Sequence, residues 1–209
     1  MPPEERPTEV RSLDAATLDR LTRNIEAVAI GASAGGIEAL LILLSALPAS
    51  CRLSFFIVLH IPRERPSLLP ELFSSRCALP VKEAEDKEPI QPGTVYFAPP
   101  DYHLLIDRGP AFALSTDEPV HFSRPSIDVL FDSAADIYGE RLVGVILTGA
   151  NQDGAEGLAA IGDAGGRTVV QDPVSAAVAY LPEAALRAGP VDCVLSMEQL
   201  RDLFAAWGT

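Results

Sequence analysis

From Ala27 onward, short apolar runs of β type alternate with stretches of helical periodicity. No other feature constrains the fold as strongly. Strands buried on both faces read as near-continuous hydrophobic runs, and strand–helix alternation folds into a parallel sheet with helices on both sides. The first unit is a strand at 27–30 followed by the turn Gly31-Ala32-Ser33-Ala34-Gly35-Gly36. Ile37, Leu40, Leu41, Leu44 and Leu47 then form one face of a helix. A second strand at 53–59 runs into His60-Ile61-Pro62, and 67–76 carries Leu68, Leu69 and Leu72 at helical spacing.

The middle third breaks the alternation. Apolar runs at 95–98, 104–106 and 111–114, the last two flanking Asp107-Arg108-Gly109-Pro110, predict an inserted β-hairpin. Alternation resumes with Ser126 as the N-cap of a helix bearing Ile127, Leu130, Phe131, Ala134, Ala135 and Tyr138. A strand at 142–147, a helix at 153–163, strands at 168–170 and 191–195, and helices near 182–187 and 196–206 complete the pattern. The expected class is α/β, a three-layer, doubly wound, mainly parallel sheet with an inserted β-hairpin, formed by residues 26–209 as one domain. Residues 1–25, proline-rich and then charged, read as a flexible N-terminal tail or linker with at most a short helix over 14–23.

Composition narrows the function. Sixteen basic residues against 29 acidic ones give a net charge of −13, which argues against nucleic acid, whose affinity comes from Lys and Arg neutralising phosphates. An anionic membrane is disfavoured for the same reason, and no apolar stretch approaches the roughly 18–20 residues of a spanning helix. Met1-Pro2-Pro3-Glu4-Glu5-Arg6-Pro7 has no signal-peptide core, and Cys51, Cys77 and Cys193 show no metal-ligand spacing. A cytoplasmic enzyme or module without metal or cofactor is the expectation.

In an open parallel sheet ligands bind at the carboxyl ends of the strands, and three polar residues fall there: Ser33, His60 and Asp153. Gly31-Ala32-Ser33-Ala34-Gly35 satisfies the G-x-S-x-G elbow pattern, a sharp strand-to-helix turn that presents a hydroxyl beside helix-terminal N–H groups, the N–H of Ala34 first among them. The same residues suit a plain glycine turn with Ser33 as helix cap. A phosphate-binding turn is less well supported, because neither nucleotide fingerprint is present. A serine needs a base. Of the three histidines His60 is best placed, His121 is the reserve, and His103 and His121 read as exposed loop or hairpin residues. Asp153, in Thr148-Gly149-Ala150-Asn151-Gln152-Asp153-Gly154, suits the acceptor that orients a catalytic histidine, and equally an ordinary helix N-cap. Thr148 and Asn151 can add hydrogen bonds to that loop. The chain order Ser, His, Asp differs from the Ser, acid, His order of α/β-hydrolases.

Taken together, several segments resemble the catalytic domain of the CheB-type chemotaxis protein-glutamate methylesterases. They are Ala29–Gly36, His60-Ile61-Pro62, Val81–Asp86, Arg124–Phe131, and Val143–Gly149 continuing to Asp153-Gly154-Ala155, in order over about 26–200. The resemblance implies Ser33 as nucleophile, His60 as base and Asp153 as orienting acid, with an oxyanion hole from the N–H groups of Ala34 and Ala150. It implies hydrolysis of glutamyl methyl esters on the cytoplasmic helices of methylated chemoreceptors, releasing methanol, and in some members deamidation of receptor glutamines. The expected partner is therefore a methyl-accepting chemotaxis protein, with no nucleic acid and no membrane insertion. Residues 1–25 are too short for the receiver domain that usually precedes this module, so control would fall to a separate regulator. Two positions depart from the family pattern: Ala34 where Thr is common, and Ala150-Asn151 where Met-Gly is common. They motivate an alternative, a catalytically weak interaction module of a two-component or chemosensory system.

Overall fold

The structure, a computed structural model, describes residues 13–61 and 68–208. A first helix, α1 (Ala15–Thr22), leads into β1 (Ala27–Ala32), α2 (Gly36–Ala46), β2 (Ser54–Leu59), α3 (Leu69–Ser74), β3 (Val81–Glu83) and β4 (Val95–Phe97). The hairpin β5 (His103–Asp107) and β6 (Ala111–Ser115) follows, then α4 (Ile127–Tyr138), a 3-10 turn at Gly139–Arg141 and β7 (Leu142–Ile146). The chain ends with α5 (Ala155–Asp163), β8 (Arg167–Gln171), α6 (Tyr180–Ala188), β9 (Cys193–Leu195) and α7 (Met197–Ala206). Seven strands form one sheet in the order β3-β4-β2-β1-β7-β8-β9, every pair parallel, and β5-β6 stands apart as an antiparallel pair.

Side chains of a strand alternate between faces, and here that alternation builds two cores. Val28, Ile30, Phe55, Ile57 and Leu59 point into a layer shared with α2 and α7, where Leu40, Leu43, Leu203 and Phe204 are buried. Ala27, Ala29, Phe56 and Val58 face the other layer with Ile127, Leu130 and Phe131 of α4 and Leu158 of α5. The β1 residues on this second face are small because α4 lies close: a Cβ added at Gly31 would stand 2.4 Å from Cγ2 of Ile127. The expected hairpin is present and packs on α4, with Leu104, Ile106 and Phe112 buried in the second layer and Ile106 N–H donating to Ser133 Oγ at 3.1 Å.

Four expectations are corrected. Part of the segment read as a flexible tail is docked. Residues 1–12 lie outside the described residues, but α1, capped by Asp14, buries Leu21 completely. Arg20 pairs with Asp192 at 2.8 Å and the Trp207 indole N–H donates to Leu21 C=O at 3.5 Å. The burial rests on a single leucine stripe that an 8-residue helix makes hard to distinguish from a charged linker. Edge strand β3 was not expected, since only three half-buried residues define it. His103 is not exposed but 1% accessible. Its Nε2 contacts Glu118 C=O at 3.2 Å and its Nδ1 accepts the Ser126 N–H at 3.2 Å, so it joins the hairpin to the start of α4. Helix 153–163 begins later than expected, at Ala155, because Gly154 adopts φ 107 as its N-cap.

Candidate active site

The chain leaves β1 toward β2 on one side of the sheet and returns at β7 on the other, so β1 marks a topological switch at whose carboxyl end a crevice opens. The β1–β2 register ends Gly31↔Val58, Ala32↔Leu59. Ser33 and His60 are the residues that directly follow this last pair. Main-chain bonds hold this end together: His60 N–H donates to Ala32 C=O at 3.0 Å, and Ser33 N–H to Thr148 C=O at 3.0 Å. Glycine at 149 is required by the close approach, because a Cβ there would lie 3.0 Å from Ser33 Cβ and 2.7 Å from Leu181. Thr148 links the two loops, its hydroxyl donating to Ala34 C=O at 2.8 Å and accepting from Val178 N–H at 2.9 Å.

Asp153 is wholly buried, and its Oδ2 lies 2.8 Å from His60 Nε2, with the imidazole itself 14% exposed. It caps a helix, though not its own. Its carboxylate sits at the N-terminus of α4, where Ile127 N–H donates to Oδ2 at 2.7 Å and Asp128 N–H to Oδ1 at 3.2 Å. The Ser126 hydroxyl donates to Oδ1 at 2.6 Å. Burial pushes this carboxyl up, but the bonds from His60, Ser126 and Ile127 outweigh burial and hold it below the ordinary aspartate range. An ionised Asp153 makes Nε2 the protonated ring nitrogen of His60 and leaves the lone pair on Nδ1. That nitrogen meets Asn151 Nδ2 at 3.3 Å.

Next to Asp153, Asp128 behaves oppositely. Burial and the neighbouring Asp153 charge raise it to about 6, against the lowering effects of the Gly157 and Gly154 N–H groups and His121. Its Oδ1 accepts Gly157 N–H at 2.7 Å, and its Oδ2 stands 3.5 Å from His121 Nε2. Two adjacent carboxyls pushed apart in this way carry one charge between them near pH 5, and that charge sits on Asp153. His121, the reserve base, is thus drawn to Asp128 and to Gln152 at 3.4 Å. It does not approach Ser33 by any hydrogen bond among the described residues.

Ser33 Oγ likewise makes no hydrogen bond to His60 among the described residues; the two share a strand end by register. Ala34 and Ala150 are both exposed, and neither N–H is engaged among the described residues. His60, Ile61, Phe122, Ser123, Arg124 and Pro125 line an adjoining cavity of about 160 Å³. Pro62 lies outside the described residues. No group of three or more His, Cys, Asp or Glu among the described residues is arranged to hold a metal ion, and burial pushes the Cys51 and Cys77 thiols up, away from reactive thiolate character. Sequence reasoning missed Ser126 as a neighbour of the site, and it placed Asn151 in the Asp153 loop without its contact to His60. Ser126 was legible as an N-cap, but its second bond, to Asp153, is made across 27 residues.

The family model described as CheB methylesterase matches residues 28–204. The chain belongs to the CheB methylesterase family. Its relatives include a "Putative protein-glutamate methylesterase/protein-glutamine glutaminase" of Leptospira interrogans, 49% identical over 87% of this chain and 94% of the relative. A protein-glutamate methylesterase/protein-glutamine glutaminase of Trichodesmium erythraeum is 40% identical over 87% of this chain, which spans only 53% of that protein. Among solved structures, the CheB methylesterase catalytic domain of Thermotoga maritima superimposes with a TM-score of 0.78 at 33% identity, covering 86% of this chain and 98% of that domain. The α/β architecture expected from the alternation of strands and helices is that of this CheB-family domain.

Proposed function

We propose that this CheB-family domain hydrolyses glutamyl methyl esters on the cytoplasmic helices of methylated chemoreceptors. The observation that carries the proposal is the 2.8 Å bond from His60 to a fully buried, ionised Asp153, at the strand end where Ser33 and His60 directly follow the last β1–β2 pair. In this reading Ser33 Oγ attacks the ester carbonyl while His60 Nδ1 takes its proton, and Asp153 stabilises the resulting imidazolium through Nε2–H. The N–H groups of Ala34 and Ala150, exposed and unengaged among the described residues, receive the oxyanion. His60 Nδ1–H then protonates the departing methoxide. Water, deprotonated by the same nitrogen, releases the glutamate and restores Ser33. The names of the relatives also support action on glutamine side chains, where the leaving group is ammonia and needs the same proton from His60.

The decisive experiment is methanol release from methylated chemoreceptor membranes by the intact chain and by Ser33→Ala. Release by the intact chain, lowered a thousandfold or more in a folded Ser33→Ala, is expected, since a triad acts as a unit. Undiminished release by Ser33→Ala refutes the nucleophile. Receptor binding without release from either protein would indicate an interaction module.

A further inference from the structure

The side chain of Asn151 is the second partner of the His60 ring. Its Nδ2 lies 3.3 Å from His60 Nδ1 and 3.2 Å from Ser123 Oγ. It therefore ties the imidazole to the loop before α4, on the side of the ring away from Asp153. Asn151 Oδ1 is buried without a hydrogen-bond partner among the described residues. The amide is therefore held by its nitrogen alone, in contacts to His60 and Ser123.

We infer that Asn151 is a positioning residue for the base: its N–H donates to the Nδ1 lone pair and holds neutral His60 as the Nε2–H tautomer. This rests on the reading of His60 as the base in Proposed function. The chemistry follows from the two ring nitrogens. Asp153 accepts from Nε2–H and favours the charged ring, whereas an N–H aimed at Nδ1 can bond only when Nδ1 is unprotonated and so favours the neutral ring. Asn151 thus acts on the ring in the opposite sense to Asp153. Among the described residues, the other charged group lining this cavity is Arg124, which is committed to Asp101 at 2.9 Å and to the carbonyls of Thr116 and Asp117. To reach Nδ1, the Ser33 hydroxyl displaces the Asn151 N–H, a neutral donor exchanged for a neutral donor.

The test uses the full chain with ¹⁵N-labelled histidine, His60 being assigned by its loss in His60→Gln, and compares wild type with Asn151→Gly and Asn151→Asp. Loss of the donor should raise the His60 titration midpoint by about half to one pH unit in Asn151→Gly, the size of one hydrogen bond. Asn151→Asp, which replaces a donor by an anion, should raise it further. The Nδ1 resonance of the neutral ring should move toward that of an unbonded lone pair in Asn151→Gly, and the acid limb of kcat/KM for ester hydrolysis should move with the midpoint. An unchanged midpoint and Nδ1 resonance in a folded Asn151→Gly overturns the inference, as does an acid limb that stays put while the midpoint moves. Shifts in the spectra with no methanol release by wild type would instead refute the esterase reading and leave the Asn151 contact standing.

Discussion

Replacing Asp153 by Asn removes one charge and almost no volume, yet the hydrogen bonds around it leave the amide no good orientation. The carboxylate accepts from His60 and Ile127 N–H on Oδ2, at 2.8 and 2.7 Å, and from Ser126 and Asp128 N–H on Oδ1, at 2.6 and 3.2 Å. Backbone donors cannot reverse, whereas the Ser126 hydroxyl can rotate to accept. The new NH₂ therefore belongs on the Oδ1 side, where it loses only the longer bond to Asp128 and keeps the His60 tautomer. The cost is two buried N–H groups left unpaired, that of Asp128 and the second of the new amide, and three charge-assisted bonds made neutral, about 3–6 kcal/mol in all. That is a large part of a typical domain stability of roughly 5–15 kcal/mol. Urea unfolding at pH 7 measures it. Because folding depresses the Asp153 pKa, this stabilisation is present above the ordinary aspartate range and disappears as the pH falls below it. A loss under about 0.5 kcal/mol at pH 7, or one that vanishes already at pH 6, would refute the account of Asp153 as a cap for α4. Ester hydrolysis should also fall by about a hundredfold or more, since a neutral amide stabilises the imidazolium poorly.

Asp128 gives the opposite sign. With its folded-state midpoint raised to about 6, wild-type stability should decline by up to about 3 kcal/mol between pH 4 and pH 6 and then level off. Asp128→Asn should lose that decline, so the difference between the two urea curves grows across this window; curves that stay parallel would contradict the buried-acid reading. Leu21→Ala should destabilise the domain by about 2–5 kcal/mol, because Leu21 is fully buried against the layer that contains Trp207. A thermal melt unchanged by the substitution would mean that α1 is dispensable.

Most of the sheet was legible because its strands announce themselves singly. The apolar runs at β1, β2 and β7 are buried on both faces, and no helix period fits them. Ser33 and His60 could be picked out for the same reason, since each directly follows such a run. The elements misread were those defined by partners distant in sequence. β3 exists because Val81 to Glu83 pair with β4, and α1 is docked because Arg20 meets Asp192 and Leu21 meets Trp207. His103 looked exposed because a hairpin start usually is, but the α4 N-terminus folds over it.

The sequence by itself determined the layer architecture and the strand ends at which chemistry can occur, because hydrophobic period and glycine turns are local properties of the chain. It also carried the family resemblance, segment by segment. Only the tertiary structure decided what those ends do to one another. Asp153 reads from sequence as a cap for the helix that follows it, and it proves to cap α4 while holding His60, since the loop after β7 crosses above the helix that precedes that strand. The ionisation of Asp153, the raised midpoint of Asp128 and the bond from Asn151 to His60 all depend on distances between residues 25 to 93 positions apart. Electrostatic and hydrogen-bond energies depend on such distances, which no local pattern encodes.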